Sequence, residues 1–199
     1  MIQRIAFFVI ALLAAPAALA QCAERLLVSG YFSNNVHVYD ACNGAFERLL
    51  DDQNRIRGPQ AAKIGPDGRL YVVSEENGRI LRYDARSLAY IDTFINTGAG
   101  FNATGIAFGP DGDVYLGGYA SDTVRRYDGT TGAFEATVVA ARAAGLNGPD
   151  NGLTFGPDGR LYIPAYDSNS VAVYDPASGT TSAFIAPSSG GLSQTRGIL

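Results

Sequence analysis

The chain has 199 residues and a formal net charge of −4 at pH 7, and 47% of its residues are hydrophobic. Its 15 basic residues are Lys63 and 14 arginines, which scatter along the sequence instead of forming a basic stripe. Without such a stripe the chain lacks the electrostatic footprint of proteins that bind nucleic acids or anionic membranes. Both classes of partner are therefore excluded.

Residues 1–20 have the pattern of a secretory signal peptide. Arg4 supplies the positive charge, an apolar stretch covers residues 5–15, and Ala18-Leu19-Ala20 forms a small-x-small cleavage site. The apolar stretch is too short to span a bilayer, and no other long apolar run follows it. We therefore expect a secreted or periplasmic protein without a membrane span. Cleavage after Ala20 leaves 14 basic and 19 acidic residues, a net charge of −5.

The chain has two cysteines, Cys22 and Cys42. Exported proteins meet an oxidising compartment, in which cysteines pair by default. A hairpin centred near residues 32–33 would place position 22 opposite position 43, which brings the two thiols into bonding range. The sequence predicts a Cys22–Cys42 disulfide rather than a metal cage, for which two cysteines are too few.

The mature chain is built from an internal repeat. Near-copies of one phrase, apolar-Gly-Pro-Asp-Gly-x-apolar-Tyr, occupy residues 64–71, 108–115 and 155–162, and a Tyr-Asp pair follows each of them. With the Val-Tyr-Asp at residues 38–40, the closing aspartates Asp40, Asp84, Asp128 and Asp175 are spaced by 44, 44 and 47 residues. A fixed period in this range is typical of repeat architectures.

Each repeat predicts four short antiparallel strands, which we call A to D. In the best-defined copy these are residues 61–64, 69–74, 79–83 and 90–95. The Gly-Pro-Asp-Gly sequence has the chemistry of a tight turn between strands A and B, and Asn77-Gly78 is a hairpin signal between strands B and C. Four such strands in about 44 residues make one blade of a β-propeller. The fold class is therefore all-β, and the longer 47-residue interval leaves room for a helical turn near residues 139–144.

About four blades are visible, in units of approximately 22–57, 58–101, 102–148 and 149–192, all within a repeat region of 21–199. The first unit lacks a strand A, and residues 193–199 match the start of a fifth strand A. Either blades are missing and the ring is incomplete, or this last strand completes the first blade of a four-bladed ring. We favour the incomplete ring, which would leave apolar blade faces exposed at both ends.

The repeated pattern, from the glycine of strand A through Gly-Pro-Asp-Gly to Arg-Tyr-Asp, resembles the repeats of the NHL and senescence-marker-protein/gluconolactonase group of six-bladed β-propellers. It is also similar to the repeats of the virginiamycin B (streptogramin) lyases. The resemblance covers most of residues 26–199 and implies an active site around the central channel, at the starts of the A strands. The channel-lining positions that it implies are Gln60, Thr104, Asn151 and Arg196.

Gluconolactonase-type enzymes hold a divalent cation at this place through a Glu, an Asn and an Asp. Asn151-Gly152-Leu153 resembles the element that carries the Asn ligand, and Asp150 precedes it. The resemblance therefore implies Asn151 and Asp150 as ligands for Ca²⁺ or Mg²⁺. Gln60 and Thr104 are neutral, however, and the charge of Arg196 would repel a metal that requires several oxygen ligands.

The remaining candidates have structural interpretations. The lyase chemistry would require a histidine near the channel, but His37 lies within strand C, which favours a packing role. Asp67, Asp111 and Asp158 belong to the tight turns, and Glu75-Glu76 is expected to be a solvated loop tip. The aromatic residues Tyr31, Phe32, Tyr119 and Tyr166 follow strand B in three repeats; they could form a binding rim, although packing is the favoured interpretation.

From these observations we expect a secreted or periplasmic propeller protein, and we favour a binding or scaffold module over an enzyme. Its partner is left open between a protein, a glycan and a small molecule. The alternative is a metal-dependent lactonase or a streptogramin-lyase-like enzyme that has part of its site in further blades.

Overall fold

The computed structural model describes residues 24–98 and 100–198, and these residues form four antiparallel sheets. Apart from two 3₁₀ turns, Ala143–Gly145 and Ser189–Gly191, the described residues contain no helix. The first of these turns lies where the longer repeat interval left room for one. The predicted signal peptide falls outside the described residues. Within them, no segment is an apolar helix of membrane-spanning length.

The four sheets are successive propeller blades. Blade 1 contains β1 (Arg25–Gly30), β2 (Asn35–Asp40) and β3 (Phe46–Leu49). Blade 2 contains β4 (Pro59–Ile64), β5 (Arg69–Ser74), β6 (Arg79–Asp84) and β7 (Tyr90–Asn96). Blade 3 contains β8 (Ala103–Phe108), β9 (Val114–Gly118), β10 (Thr123–Tyr127) and β11 (Phe134–Val139). Blade 4 contains β12 (Thr154–Phe155), β13 (Leu161–Ala165), β14 (Ser170–Asp175) and β15 (Thr180–Ile185). Within each blade, every strand pairs with the next one in the chain, which confirms the predicted all-β fold of about four blades.

The turns between strands A and B follow from the Gly-Pro-Asp-Gly chemistry. The N–H of Gly68 donates to the carbonyl of Gly65 at 3.0 Å, and Gly68 has a φ of 76°, which favours glycine. Its counterparts Gly112 and Gly159 also have positive φ. The Asp67 side chain accepts the N–H of Arg69 at 3.0 Å and the hydroxyl of Tyr71 at 3.1 Å. The structural interpretation of the repeated aspartates is therefore confirmed.

The loops between strands B and C differ from the two-residue Asn-Gly turn that the sequence favours. Four residues separate the paired positions Ser74 and Arg79, and the last of them, Gly78, has positive φ. Its counterparts in the other blades also have positive φ; they are Asn34, Asp122 and Asn169. Asn and Asp tolerate this conformation better than other non-glycine residues. The longer loop projects its first residues beyond the sheet.

The core lies between the blades. Three clusters of buried apolar residues occupy the interfaces of blades 1 and 2, 2 and 3, and 3 and 4. At the second interface Phe108, at the end of β8, packs edge-on against Tyr71 of blade 2 with ring centroids 5.0 Å apart. Phe155 repeats this contact with Tyr115 at 5.0 Å. Both faces of an inner blade are thus buried, which explains the consecutive apolar pairs in strand B.

Blade 1 leaves one apolar face exposed. Leu26 and Val28 are 54% and 43% exposed, whereas their counterparts in blade 2, Leu70 and Val72, are almost fully buried. Residues 196–198 lie against Gly152 of blade 4 and do not add a strand to β1, so blade 1 keeps three strands. The predicted fifth strand A over 193–199 is not a strand in its described part, because none of the described residues supplies it with a strand B. The described blades therefore form an open arc.

The predicted disulfide involves Cys22, which lies outside the described residues, so the Cys22–Cys42 pairing stays a prediction.

Removal of the hydroxyl group should have opposite effects on stability at two buried tyrosines, Tyr115 of blade 3 and Tyr83 of blade 2. The Tyr115 hydroxyl donates to Asp111 at 2.6 Å, whereas the Tyr83 hydroxyl has no hydrogen-bond partner among the described residues. Tyr115→Phe should therefore lower the free energy of unfolding by about 1 kcal/mol, and Tyr83→Phe should raise it by a similar amount. Urea denaturation of the two variants measures both changes. Equal losses in both would contradict the assignment of the two hydroxyl environments.

Candidate functional site at the mouth of the channel

Residues from all four blades meet at one end of the central channel, around a pocket of about 230 Å³. One group comes from the loops after strand B, where the first residue beyond the strand points to the pocket in each blade. These residues are Tyr31, Glu75, Tyr119 and Tyr166. The second group comes from the innermost strands and the segment after blade 4, and consists of Gln60, Thr104, Asp150 and Arg196. We call this set of eight residues the mouth pocket.

Side chains of the loops between strands B and C fix the entry of the next innermost segment. Asn34 accepts the N–H of Gly58 at 2.9 Å, and Asp122 accepts the N–H of Gly148 at 2.8 Å. Asn169 accepts the N–H of Gln194 at 2.7 Å. The same residues whose positive φ ends the loop therefore set the height at which Gln60, Asp150 and Arg196 reach the channel. No sequence pattern had indicated these ties.

Asp150, not Asn151, lines the mouth pocket. Pro149 pairs with Ala165, the register position that Pro59 and Ala103 hold in blades 2 and 3. When the repeats are aligned by sequence, Asn151 matches Gln60 and Thr104. In the structure the innermost segment of blade 4 is shifted by one residue, and Asp150 takes their place. Asn151 is half-buried and donates its N–H to the Asp150 carboxylate at 2.7 Å.

Glu75 is buried, which corrects the expectation of a solvated acidic pair at this loop tip; Glu76 beside it is exposed. The Glu75 carboxylate accepts the amide N–H of Gln60 at 2.6 Å and that of Asn102 at 3.4 Å. Burial, the negative charges of Glu75 and Glu76 and a hydrogen bond to Glu75 raise the pKa of the Tyr31 hydroxyl. Neutral donors therefore hold this carboxylate, and it forms no salt bridge with any of the described residues.

Asp150 is 3% exposed and has one cation near it. Burial raises the pKa of the Asp150 carboxyl, although the N–H of Asn151 and the charge of Arg196 act in the opposite direction. The Arg196 guanidinium lies 3.6 Å from the Asp150 carboxylate and 4.5 Å from the centre of the Tyr166 ring. Tyr166 in turn packs edge-on against Tyr119 at 6.3 Å, and Tyr119 donates to Asp167.

The tyrosines of the predicted rim therefore line the pocket, whereas Phe32 does not. Phe32 is 96% exposed and contacts the edge of Tyr31. The sequence favoured a packing role for these tyrosines, but in the structure they line the pocket at the channel mouth. The signal that would have found Glu75 is its register, since it occupies in blade 2 the place of the three tyrosines.

The residues of the mouth pocket do not fit a divalent metal ion. A hard cation requires about six oxygen ligands, usually including two or more carboxylates that face it. Here the guanidinium of Arg196 lies beside Asp150, amide N–H groups occupy Glu75, and Asn151 is not among the lining residues. Among the described residues, three carboxylates approach one another only at Asp113, Asp128 and Glu135, and the guanidinium of Arg126 contacts two of them.

His37 lies on the open face of blade 1, outside the mouth pocket. It pairs across the sheet with Val28 and Leu49, and its ring packs near Tyr39 and Phe46. This placement agrees with the packing role that the sequence favoured. Since His37 is the only histidine of the 199 residues, the pocket has no imidazole that could act as a general base.

Deeper in the channel, Lys63 ties three innermost strands together. Its ammonium group donates to the carbonyls of Ile106 at 2.9 Å and Leu153 at 3.1 Å, which belong to blades 3 and 4. Burial lowers the pKa of the Lys63 ammonium. Lys63 is the third residue after Gln60 along the strand, so the tie lies roughly 10 Å below the pocket mouth.

Comparisons with known proteins support the fold. No protein-family profile matches the sequence, and no curated protein matches it. Among solved structures, the chain is similar to virginiamycin B lyase from Staphylococcus aureus, with 17% identity, a TM-score of 0.60, and coverage of 82% of this chain and 52% of that one. A putative gluconolactonase matches with 16% identity, a TM-score of 0.63, and coverage of 82% and 60%. A nidogen/laminin complex matches with 16% identity, a TM-score of 0.64, and coverage of 82% and 59%. The chain spans about half the length of these structures.

Proposed function

We propose that this run of β-propeller blades, of the NHL and gluconolactonase type, is a ligand-binding module whose ligand occupies the mouth pocket. The observation that carries the proposal is the convergence of two buried carboxylates, Glu75 and Asp150, on a pocket shared by all blades. Burial of charged groups is costly, and buried ionisable groups that line a cleft are candidates for a functional site. We further propose that the protein acts outside the cytoplasm, on the basis of the signal-peptide pattern at residues 1–20.

The enzyme alternatives have less support. A metal-dependent lactonase would need a divalent ion at the mouth pocket, where the charge of Arg196 and the amide contacts of Glu75 oppose it. A lyase that depends on a histidine base would need an imidazole at the mouth pocket, but His37 packs on the open face of blade 1. The solved structure of a catalytically inactive virginiamycin B lyase with quinupristin is similar to this chain at 17% identity, a likeness that supports the fold and not the lyase activity.

NMR titration of the ¹⁵N-labelled protein with a library of cationic, neutral and anionic fragments tests the binding proposal. We expect fragments that shift the amide signals of Gln60, Thr104 and Asp150, because a ligand in the mouth pocket changes their environment. Glu75→Gln should weaken this binding by at least about tenfold, since a hydrogen bond to a charged group contributes about 1.5–3 kcal/mol. The neighbouring, exposed Glu76→Gln is the matched control and should bind as the wild type does.

The same titration with Ca²⁺ and Mg²⁺ separates a binding module from the lactonase alternative. Neither ion should shift the signals of the mouth pocket. Saturable shifts with either ion, together with hydrolysis of a lactone, would replace the binding proposal by the enzyme alternative. The absence of any fragment at the pocket would also contradict it.

A further inference from the structure

Arg196 has the contacts of a bound ligand rather than those of a pocket wall. Its guanidinium lies over the face of Tyr166 at 4.5 Å and near the Asp150 carboxylate at 3.6 Å. Both contacts are made by the charged end of the side chain. The backbone that carries Arg196 is held separately, by the bond from the N–H of Gln194 to Asn169. The guanidinium can therefore leave the pocket without detaching the segment.

The rest of the pocket is chemically suited to a cation. Among the described residues that line it, Arg196 is the single cation, whereas Glu75 and Asp150 are buried carboxylates. The three tyrosines add aromatic rings, whose faces attract organic cations. Gln60 and Thr104 are neutral, and both are already engaged, with Glu75 and with the carbonyl of Pro149. An anionic ligand would meet two negative charges here.

Arg196 itself is held weakly. Its side chain is 53% exposed, and 3.6 Å from the nitrogen to the Asp150 oxygen is too long for a good hydrogen bond. Ion pairs of this kind contribute little to stability. A free cation that reaches deeper toward Glu75 and Asp150 would make more contacts than the tethered guanidinium does. These added contacts would offset the translational and rotational freedom that a free ligand loses on binding.

We propose that the mouth pocket binds an organic cation with a guanidinium or primary ammonium head, and that Arg196 occupies the cation position until the ligand displaces it. This inference rests on the proposed binding function. The volume of about 230 Å³ is smaller than the roughly 300–1,000 Å³ of pockets for drug-sized ligands. The ligand is thus a small cation or the head of a longer molecule whose remainder extends into solvent.

Calorimetric titration with agmatine, a small guanidinium compound, tests the proposal. Arg196→Ala should bind agmatine about fivefold more tightly than the wild type, because the weakly held competing guanidinium is gone. Asp150→Asn added to Arg196→Ala should abolish this binding. Arg160→Ala is the matched control: Arg160 also lies over a tyrosine, Tyr162, and pairs with an aspartate, but outside the pocket. It should bind agmatine as the wild type does.

Butylurea, a neutral compound of similar length, is the ligand control and should not bind. Equal binding of butylurea and agmatine would overturn the cation proposal while the binding function stands. Failure of all fragments in the NMR titration would overturn both. If Arg196→Ala does not fold by circular dichroism, Arg196→Gln takes its place. A folded variant that does not bind agmatine at millimolar concentration also overturns the proposal.

The source of the cationic head is resolved by comparing agmatine with acetyl-arginine amide. Tighter binding of the second compound would support the proposal with an arginine side chain of a peptide as the ligand. Tighter binding of agmatine would support it with a free small cation.

Discussion

Replacing Gly105 by valine is expected to lower the free energy of unfolding by about 3 kcal/mol, the upper end of the usual cost of overpacking. Gly105 lies in β8, where the innermost strand of blade 3 closely approaches the innermost segment of blade 4. A Cβ atom at this position would stand 2.6 Å from the backbone carbonyl oxygen of Asp150 and 3.1 Å from the Leu153 side chain. Because the first of these is a backbone atom, it cannot turn aside as a side chain would.

Gly197→Val is the control for this variant. A Cβ atom on Gly197 would meet nothing within 4 Å, so the change should stay within about 0.5 kcal/mol. Urea denaturation measures both, and in thermal unfolding the Gly105 variant should melt about 10 °C below the wild type. The displaced carbonyl belongs to Asp150, so Gly105→Val should also weaken binding at the mouth pocket. Equal stability of the two valine variants would contradict the close approach of the innermost strands.

Lys63→Met is expected to lower the free energy of unfolding by about 2 kcal/mol. Methionine has nearly the length of lysine but cannot donate, so the carbonyls of Ile106 and Leu153 lose the partner that ties blades 3 and 4 to blade 2. Hydrogen bonds to a charged group contribute about 1.5–3 kcal/mol, and relief from burying the ammonium offsets part of this loss. Because the tie joins three blades, its loss should weaken the packing of the innermost strands along the channel.

Arg79→Met is the matched control, since it removes a cation from an exposed strand position of the same blade. Its unfolding free energy should change by less than about 0.5 kcal/mol. Hydrogen exchange adds a second measurement: the amides of β8 should exchange faster in Lys63→Met, whereas those of β6 should not. A methionine variant as stable as the wild type would show that the channel lysine does not join the blades.

Most positions of the candidate site could be predicted from the sequence, but the burial of its two carboxylates could not. The starts of the A strands gave Gln60, Thr104 and Arg196, and the loop tyrosines were recognised as a set. Two residues were misplaced. Asn151 was expected in the channel because it aligns with Thr104, but the pairing of Pro149 with Ala165 shifts the segment and brings in Asp150 instead. Glu75 was expected in solvent because it stands beside another acid in a loop.

The repeat, the strand order within each blade and the turns between strands A and B could be predicted from the sequence, since each depends on residues close together in the chain. The contact of Asp67 with Arg69 and Tyr71, for example, spans four residues. Which residues meet at the channel could not be predicted in this way, because those contacts join separate blades. Lys63 and Leu153 are 90 residues apart, and Thr104 and Pro149 are 45 apart. A local pattern can fix each blade, but the charges that face one another across the channel depend on how the blades are stacked.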